Sequence, residues 1–199
     1  VSAFAFGGLV YGLSQLGESA GEGSAALAGG SIVVGLGSLS FFIARQLRLQ
    51  STDSALLDLR TFTAPTFRVA VALMGVSMMA LFGTIILLPL YAQDVLGLEP
   101  LQAGLLVLPG GLLMGVAAPF VGRAFDRVGP RPLLVPGTAL VASATWGLAT
   151  LSADSAPWVL LVCHVVMSGG LALIFTPLFT SALGSLSPRL YPHGSAVIG

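Results

Sequence analysis

The 199-residue chain is 55% hydrophobic and 8% charged, and its eight basic residues, all arginine, balance eight acids to a net charge of zero. Ordinary soluble domains carry about 25% charged residues, so with a mean hydropathy of +0.97 this is the composition of an integral membrane protein. Neutrality leaves no basic surface for nucleic acid, and the single cysteine, Cys163, excludes a disulfide framework or a cysteine metal cluster.

A bilayer core of about 30 Å takes about 20 apolar residues per helix. Stretches free of Asp, Glu, Lys and Arg reach that length repeatedly, which predicts six spans at roughly 1–17, 24–44, 69–93, 101–122, 132–153 and 156–186. Strands of a membrane barrel would alternate polar and apolar residues over about ten positions, and nothing here does. The fold class is therefore all-α, a polytopic membrane helix bundle. The first span has no basic stretch before it and does not read as a signal peptide. It opens directly on Val1, and Ala196-Val197-Ile198-Gly199 begins another apolar run, so the chain reads as a piece of a longer protein.

Charges sort between the two sides of this arrangement. Arg45, Arg48, Arg60 and Arg68 follow span two, Arg123, Arg127 and Arg131 follow span four, and Arg189 follows span six. The opposite connections hold only Glu18, Glu22, Asp94, Glu99 and Asp154. By the positive-inside rule the arginine face is cytoplasmic. Between spans two and three, residues 51–68 form the longest connection, where Leu56, Leu57, Leu59 and Phe62 alternate with Asp58 and Arg60. This reads as a short helix lying at the membrane interface, with an irregular linker as the alternative.

Pro100, Pro132 and Pro157 each fall where a helix should start, a place where the missing N–H costs little. Pro89, Pro109, Pro119 and Pro177 fall inside spans and permit kinks. The four-residue spacings Gly8/Gly12 and Gly111/Gly115 predict close helix approach.

Between spans four and five stands Gly122-Arg123-Ala124-Phe125-Asp126-Arg127-Val128-Gly129-Pro130-Arg131, a charged segment that must sit at a water interface. The set Gly122, Asp126, Arg127, Gly129 and Arg131 resembles the Gly-x-x-x-Asp-Arg-x-Gly-Arg-Arg/Lys signature of the major facilitator superfamily, found in the cytoplasmic loop between the second and third helices of a six-helix half. Pro130 departs from that pattern in the manner of the second-half copy. Leu57-Asp58-Leu59-Arg60-Thr61-Phe62, Leu88-Pro89-Leu90-Tyr91-Ala92-Gln93-Asp94-Val95-Leu96-Gly97 and Gln102-Ala103-Gly104-Leu105-Leu106-Val107-Leu108-Pro109-Gly110 are similar to the second half of the fourteen-helix drug:proton antiporters.

The resemblance implies a partial major facilitator fold. Residues 1–50 would be the helix pair linking two bundles, 51–68 a cytoplasmic interfacial segment, and 69–199 the first four helices of an incomplete C-terminal bundle. It implies part of a secondary transporter in a bacterial cytoplasmic membrane, exporting drugs or other amphipathic compounds by proton antiport with alternating access. The expected partners are a small-molecule substrate, protons, the lipid bilayer and the N-terminal half of the same transporter, with no cofactor, no metal and no enzymatic activity. Export of an endogenous metabolite, lipid or siderophore is the alternative within transport, and a membrane scaffold or membrane-embedded enzyme the one outside it.

Within that reading Gly122, Arg123, Asp126, Arg127, Gly129 and Arg131 form a conformational latch, whose charged contacts are made in one state and broken in another. A simple topology anchor is the alternative. Met78, Phe82, Tyr91, Gln93, Met167, Phe175 and Phe179 are cavity-lining candidates suited to an amphipathic compound. All eight acids fall in connections, so His164 is the one titratable group placed within a span with a pKa suited to proton transfer; a packing role is its alternative.

Overall fold

The computed structural model describes residues 2–18, 22–50 and 55–199. It divides into two compact units, residues 1–61 and 62–199.

In the first unit α1 (Ser2–Glu18) packs along α2 (Glu22–Leu49). Glycine makes that contact possible. A Cβ on Gly8 would stand 2.9 Å from the Ser31 carbonyl oxygen, and one on Gly35 would stand 2.7 Å from the Leu9 backbone nitrogen. Gly12 is equally close, 3.0 Å from the Ala28 carbonyl oxygen, so the Gly8/Gly12 spacing does bring two backbones together. Large apolar side chains such as Phe6 and Val33 point outward, as expected of a surface that meets lipid.

In the last turn of α2, the buried Gln46 accepts the Leu57 backbone N–H through Oε1 at 3.2 Å. Asp58 then closes a tight turn, accepting the Arg60 backbone N–H at 2.9 Å and an Nη2 bond from its guanidinium at 2.6 Å. Hydrogen bonding to Asp58 raises the Arg60 pKa above its ordinary value. A 3-10 helix, Leu59–Thr63, follows. The interfacial helix expected before span three is thus one short 3-10 turn among the described residues, because Asp58 bonds to its own neighbours, a local alternative to an α-helical ladder. Residues 51–54 of that segment lie outside the described residues.

The second unit contains α3 (Pro65–Asp94), α4 (Pro100–Val128), α5 (Arg131–Ala149), α6 (Pro157–Gly184) and the short α7 (Tyr191–Ile198). Pro65, Pro100, Pro132 and Pro157 all occupy the first or second helical position. At α4 the Glu99 N-cap adds a reciprocal box, its backbone N–H bonding Gln102 Oε1 at 3.1 Å, which satisfies donors that the helix start leaves free. At the end of α3, Gly97 takes φ +67°, letting the Leu98 N–H reach back to the Ala92 carbonyl at 3.0 Å.

α6 is the hub of this unit. It contacts α3, α4, α5 and α7, and 44% of its apolar stretch is buried, against 17% or less for the other long helices. Phe67, Ala70 and Met74 of α3 interlock with Ile174, Leu178 and Ala182 of α6. Ala144 of α5 meets Met167 and Leu171, and Leu88, Ala92, Ala103 and Leu160 join α3, α4 and α6.

Among the described residues, five helices are long and apolar enough to cross a membrane; the described part of α1 is 17 residues. The helices overrun the expected spans at their arginine-bearing ends, α2 reaching Leu49 and α4 reaching Val128. Arginine is a good helix former, so a charge that marks the edge of hydrocarbon does not end the helix.

Candidate functional site: the end of α4 and the α3–α6 seam

The segment Gly122–Arg131, expected as a loop, is mostly helix. Gly122 to Val128 belong to α4, Arg131 opens α5, and only Gly129 and Pro130 separate them. Gly129 has φ +78°, and its N–H closes α4 on the Phe125 carbonyl at 2.8 Å; a residue with a Cβ is strained in that region.

The charges are therefore displayed on adjoining helix ends. Arg123 donates from Nε to the Pro119 carbonyl at 3.2 Å and lays its guanidinium over the Phe120 ring, 4.8 Å from the centroid. Together with Ala124, Arg127 and Val128 these two residues border a recess of about 360 Å³. Asp126, Arg127 and Arg131 are exposed and make no ion pair among the described residues. A carboxylate in the last turn of one helix and a guanidinium in the first turn of the next both oppose the local helix dipoles. Only Arg127, at the C-terminal end of α4, has the locally favourable sign. Space for a Cβ at Gly122 is open, so nothing within this unit requires glycine there.

The aromatic and methionine candidates fall into distinct environments. Met78, Phe175 and Phe179 converge with Met74, Thr176 and Thr180 on an open apolar groove of about 380 Å³ between α3 and α6. A second recess of about 220 Å³ is lined by Gly83, Thr84, Leu87, Leu88 and Tyr91 of α3, Leu148 of α5, Leu151 just beyond it and Leu160 of α6. The Tyr91 hydroxyl donates to the Ser152 carbonyl at 2.6 Å. The Thr84 hydroxyl, on the lining of this recess, meets the Met167 sulfur at 3.4 Å.

Other candidates are placed elsewhere. Met167 is 1% exposed and packed with Ala144 and Leu171 in the core, and is not among the residues lining either recess. Its helix is apolar all round, and a lining face could not be told from a packing face. Phe82 is exposed. Gln93 is exposed and folds its amide back to the Pro89 carbonyl at 3.2 Å.

His164 is 2% exposed. Its Nε2 lies 3.1 Å from the Val107 carbonyl oxygen, which accepts and so fixes the proton on Nε2, leaving Nδ1 buried without a partner among the described residues. The ring seats on Gly110, where any Cβ would strike it and the Ser168 hydroxyl. This is the α4–α6 packing contact. Gly111 and Gly115, the expected pair on α4, instead face open space, because a one-residue step turns the helix by about 100° and carries them away from α6.

Sequence reasoning also passed over Gly137 and Gly170, which bring α5 and α6 together: a Cβ on Gly170 would lie 2.8 Å from the Gly137 carbonyl oxygen. They are not a four-residue pair on one helix but single glycines on two, a pattern that becomes visible only once the helices are paired.

Comparison with known proteins agrees with this architecture. The Major Facilitator Superfamily profile matches residues 1–199. The chain is 39% identical over 198 residues to a lincomycin resistance protein, LmrB, of Listeria monocytogenes, and 33% identical over 198 residues to LmrB of Bacillus subtilis. In both cases all of this chain and 41% of the relative are covered. A multidrug resistance protein B homolog of Mycobacterium tuberculosis is 32% identical over 172 residues, covering 83% of this chain and 31% of the relative. The chain thus spans about two fifths of the length of the LmrB relatives it matches. A bundle of apolar helices hubbed on α6, the charged junction of α4 with α5 and a profile match from end to end agree: the chain belongs to the Major Facilitator Superfamily.

Proposed function

We propose that this chain is part of a bacterial drug exporter that handles uncharged or amphipathic compounds by proton antiport with alternating access. The observation that carries the reading is the groove in which Met78, Phe175 and Phe179 converge. Methionine and aromatic side chains adapt to varied apolar shapes, and Thr176 and Thr180 add hydroxyls that can orient a polar group of the substrate. Among the described residues none that lines the groove is charged, which favours uncharged groups over ions. Relatives named for lincomycin and multidrug resistance support the same class.

The end of α4 serves as the conformational latch. Asp126 and Arg131 stand against their local dipoles without a partner in their own unit, a cost that contacts to the rest of the transporter would offset in one conformation. Arg123, held on Phe120 and Pro119, belongs to the wall of this latch. Coupling acids are assigned to the part of the transporter beyond this chain, since the described acids sit at helix ends and in connections and His164 is committed to Val107.

The test is lincomycin efflux from bacteria lacking their own exporters and expressing the full-length protein. Expected is active extrusion that collapses when a protonophore is added. Equal accumulation in expressing and empty cells would overturn the exporter reading; efflux indifferent to the protonophore would overturn proton coupling alone.

A further inference from the structure

One side of α4 ends in two arginines. Phe120, Arg123, Ala124, Arg127 and Val128 share that side and border the recess of about 360 Å³ at the end of the helix. The Phe120 ring and the Pro119 carbonyl hold Arg123 in place, a bond that uses only its Nε and leaves both Nη groups without a partner among the described residues. Arg123 and Arg127 are exposed, and neither makes an ion pair among the described residues. Asp126 is not among the residues bordering the recess. Like charges four residues apart on a helix repel. A phosphate between them would reverse that effect, because guanidinium groups bind it through paired, charge-assisted hydrogen bonds.

The side of α4 that these arginines close suits lipid better than another helix. Leu105, Leu112, Val116 and Phe120, each more than half exposed, form a strip of large apolar side chains leading to Arg123 and Arg127. Contacts between membrane helices favour small residues, and α4 carries those elsewhere: Gly104, Gly111, Gly115 and Gly122, where a Cβ would meet nothing within 4 Å. At about 100° per residue, Gly122 lies roughly 100–140° around the helix from the two arginines. A neighbouring helix is accommodated on the glycine side, which leaves the arginine side to the bilayer. We propose that the recess seats the phosphate of an anionic phospholipid between Arg123 and Arg127, with an acyl chain lying along Phe120, Val116 and Leu112. The positive-inside rule puts this end of α4 at the cytoplasmic leaflet, whose anionic lipids attract basic groups at the membrane surface. The seat goes beyond the exporter reading and does not depend on it.

The experiment is native mass spectrometry of the purified full-length transporter titrated with phosphatidylglycerol, with phosphatidylcholine and inorganic phosphate as competing probes. Phosphatidylglycerol is expected to be retained over phosphatidylcholine. Arg123→Gln and Arg127→Gln are each expected to weaken its binding about fivefold, the scale of one basic residue at an anionic surface. Arg68→Gln, which removes an exposed arginine from α3, is the control and should leave binding unchanged. Unaltered binding by both recess variants, or equal retention of the two lipids, would overturn the seat and leave the arginines to the rest of the transporter. An equal loss in Arg68→Gln would also overturn it, by reducing the effect to net charge. Displacement of the lipid by inorganic phosphate would make the recess a free-phosphate site and end the lipid assignment. Both recess substitutions lie on an exposed helix surface, and should one variant fail to fold, the other decides. Drug export enters none of these measurements, so the exporter reading is decided separately.

Discussion

Gly137 and Gly170 face one another across the α5–α6 contact so closely that a Cβ on either would lie within about 3 Å of the other's carbonyl oxygen, 3.0 Å and 2.8 Å respectively. The obstacle is backbone, which cannot swing aside as a flexible side chain would. Gly170→Val should therefore separate the helices and cost about 1–3 kcal/mol, the usual range for overpacking. Thermal unfolding of the purified protein measures it. The neighbouring Gly169, where a Cβ meets only the Leu113 side chain at 3.4 Å, is the control: Gly169→Ala should leave the midpoint near its original value.

A sharper contrast lies one residue apart on α4. Gly110→Ala drives a methyl group into the His164 ring, whereas the same change at Gly111 meets nothing within 4 Å in this unit. The first should lower the unfolding midpoint. The second should leave α4–α6 packing intact and gain up to about 1 kcal/mol of helix propensity.

For the latch, Asp126→Asn keeps the size of the side chain and removes its charge. Export should fall about tenfold, the scale of a coupling worth ~1–2 kcal/mol, with an unchanged amount of protein in the membrane fraction. Full export by the variant would leave the segment as a topology anchor.

At the α4–α5 junction, Gly129→Ala adds a Cβ that touches nothing within 4 Å. Any loss is therefore backbone strain at φ +78°, ψ −174°, worth about 1–3 kcal/mol and visible as a lower unfolding midpoint.

His164→Gln offers an amide that can still donate to the Val107 carbonyl. If His164 only packs, the pH profile of export should superimpose on that of the unmodified protein. A displaced profile would assign it a role in proton movement.

The sequence shows the helices, their order and most of their starts, because charge, proline and hydropathy each change sharply at a membrane boundary. It does not show which way each helix faces. In water an amphipathic stripe announces the buried side, but in lipid the outer face is as apolar as the packed one. Gly111 and Gly115 could thus be taken for the contact that Gly110 makes. Met167, buried on α6, could be grouped with Met78, which borders a groove. The convergence of Met78, Phe175 and Phe179 depends on pairing α3 with α6, residues separated by about a hundred positions. Tyr91 could be named from the sequence, yet its partner is a backbone carbonyl at Ser152, and a carbonyl leaves no mark in a residue code. Helix ends are less legible than starts, because arginine carries α2 and α4 past the hydrocarbon edge.

The joint between α4 and α5 contains two residues, and each restricts it in its own way. Pro130, at φ −74°, has that torsion locked by its ring, and Gly129 is held by the bond from its N–H to Phe125. Along their length the two helices touch little. A joint so short and so constrained leaves α4 and α5 little freedom to turn independently, and the Gly137–Gly170 contact extends that constraint to α6.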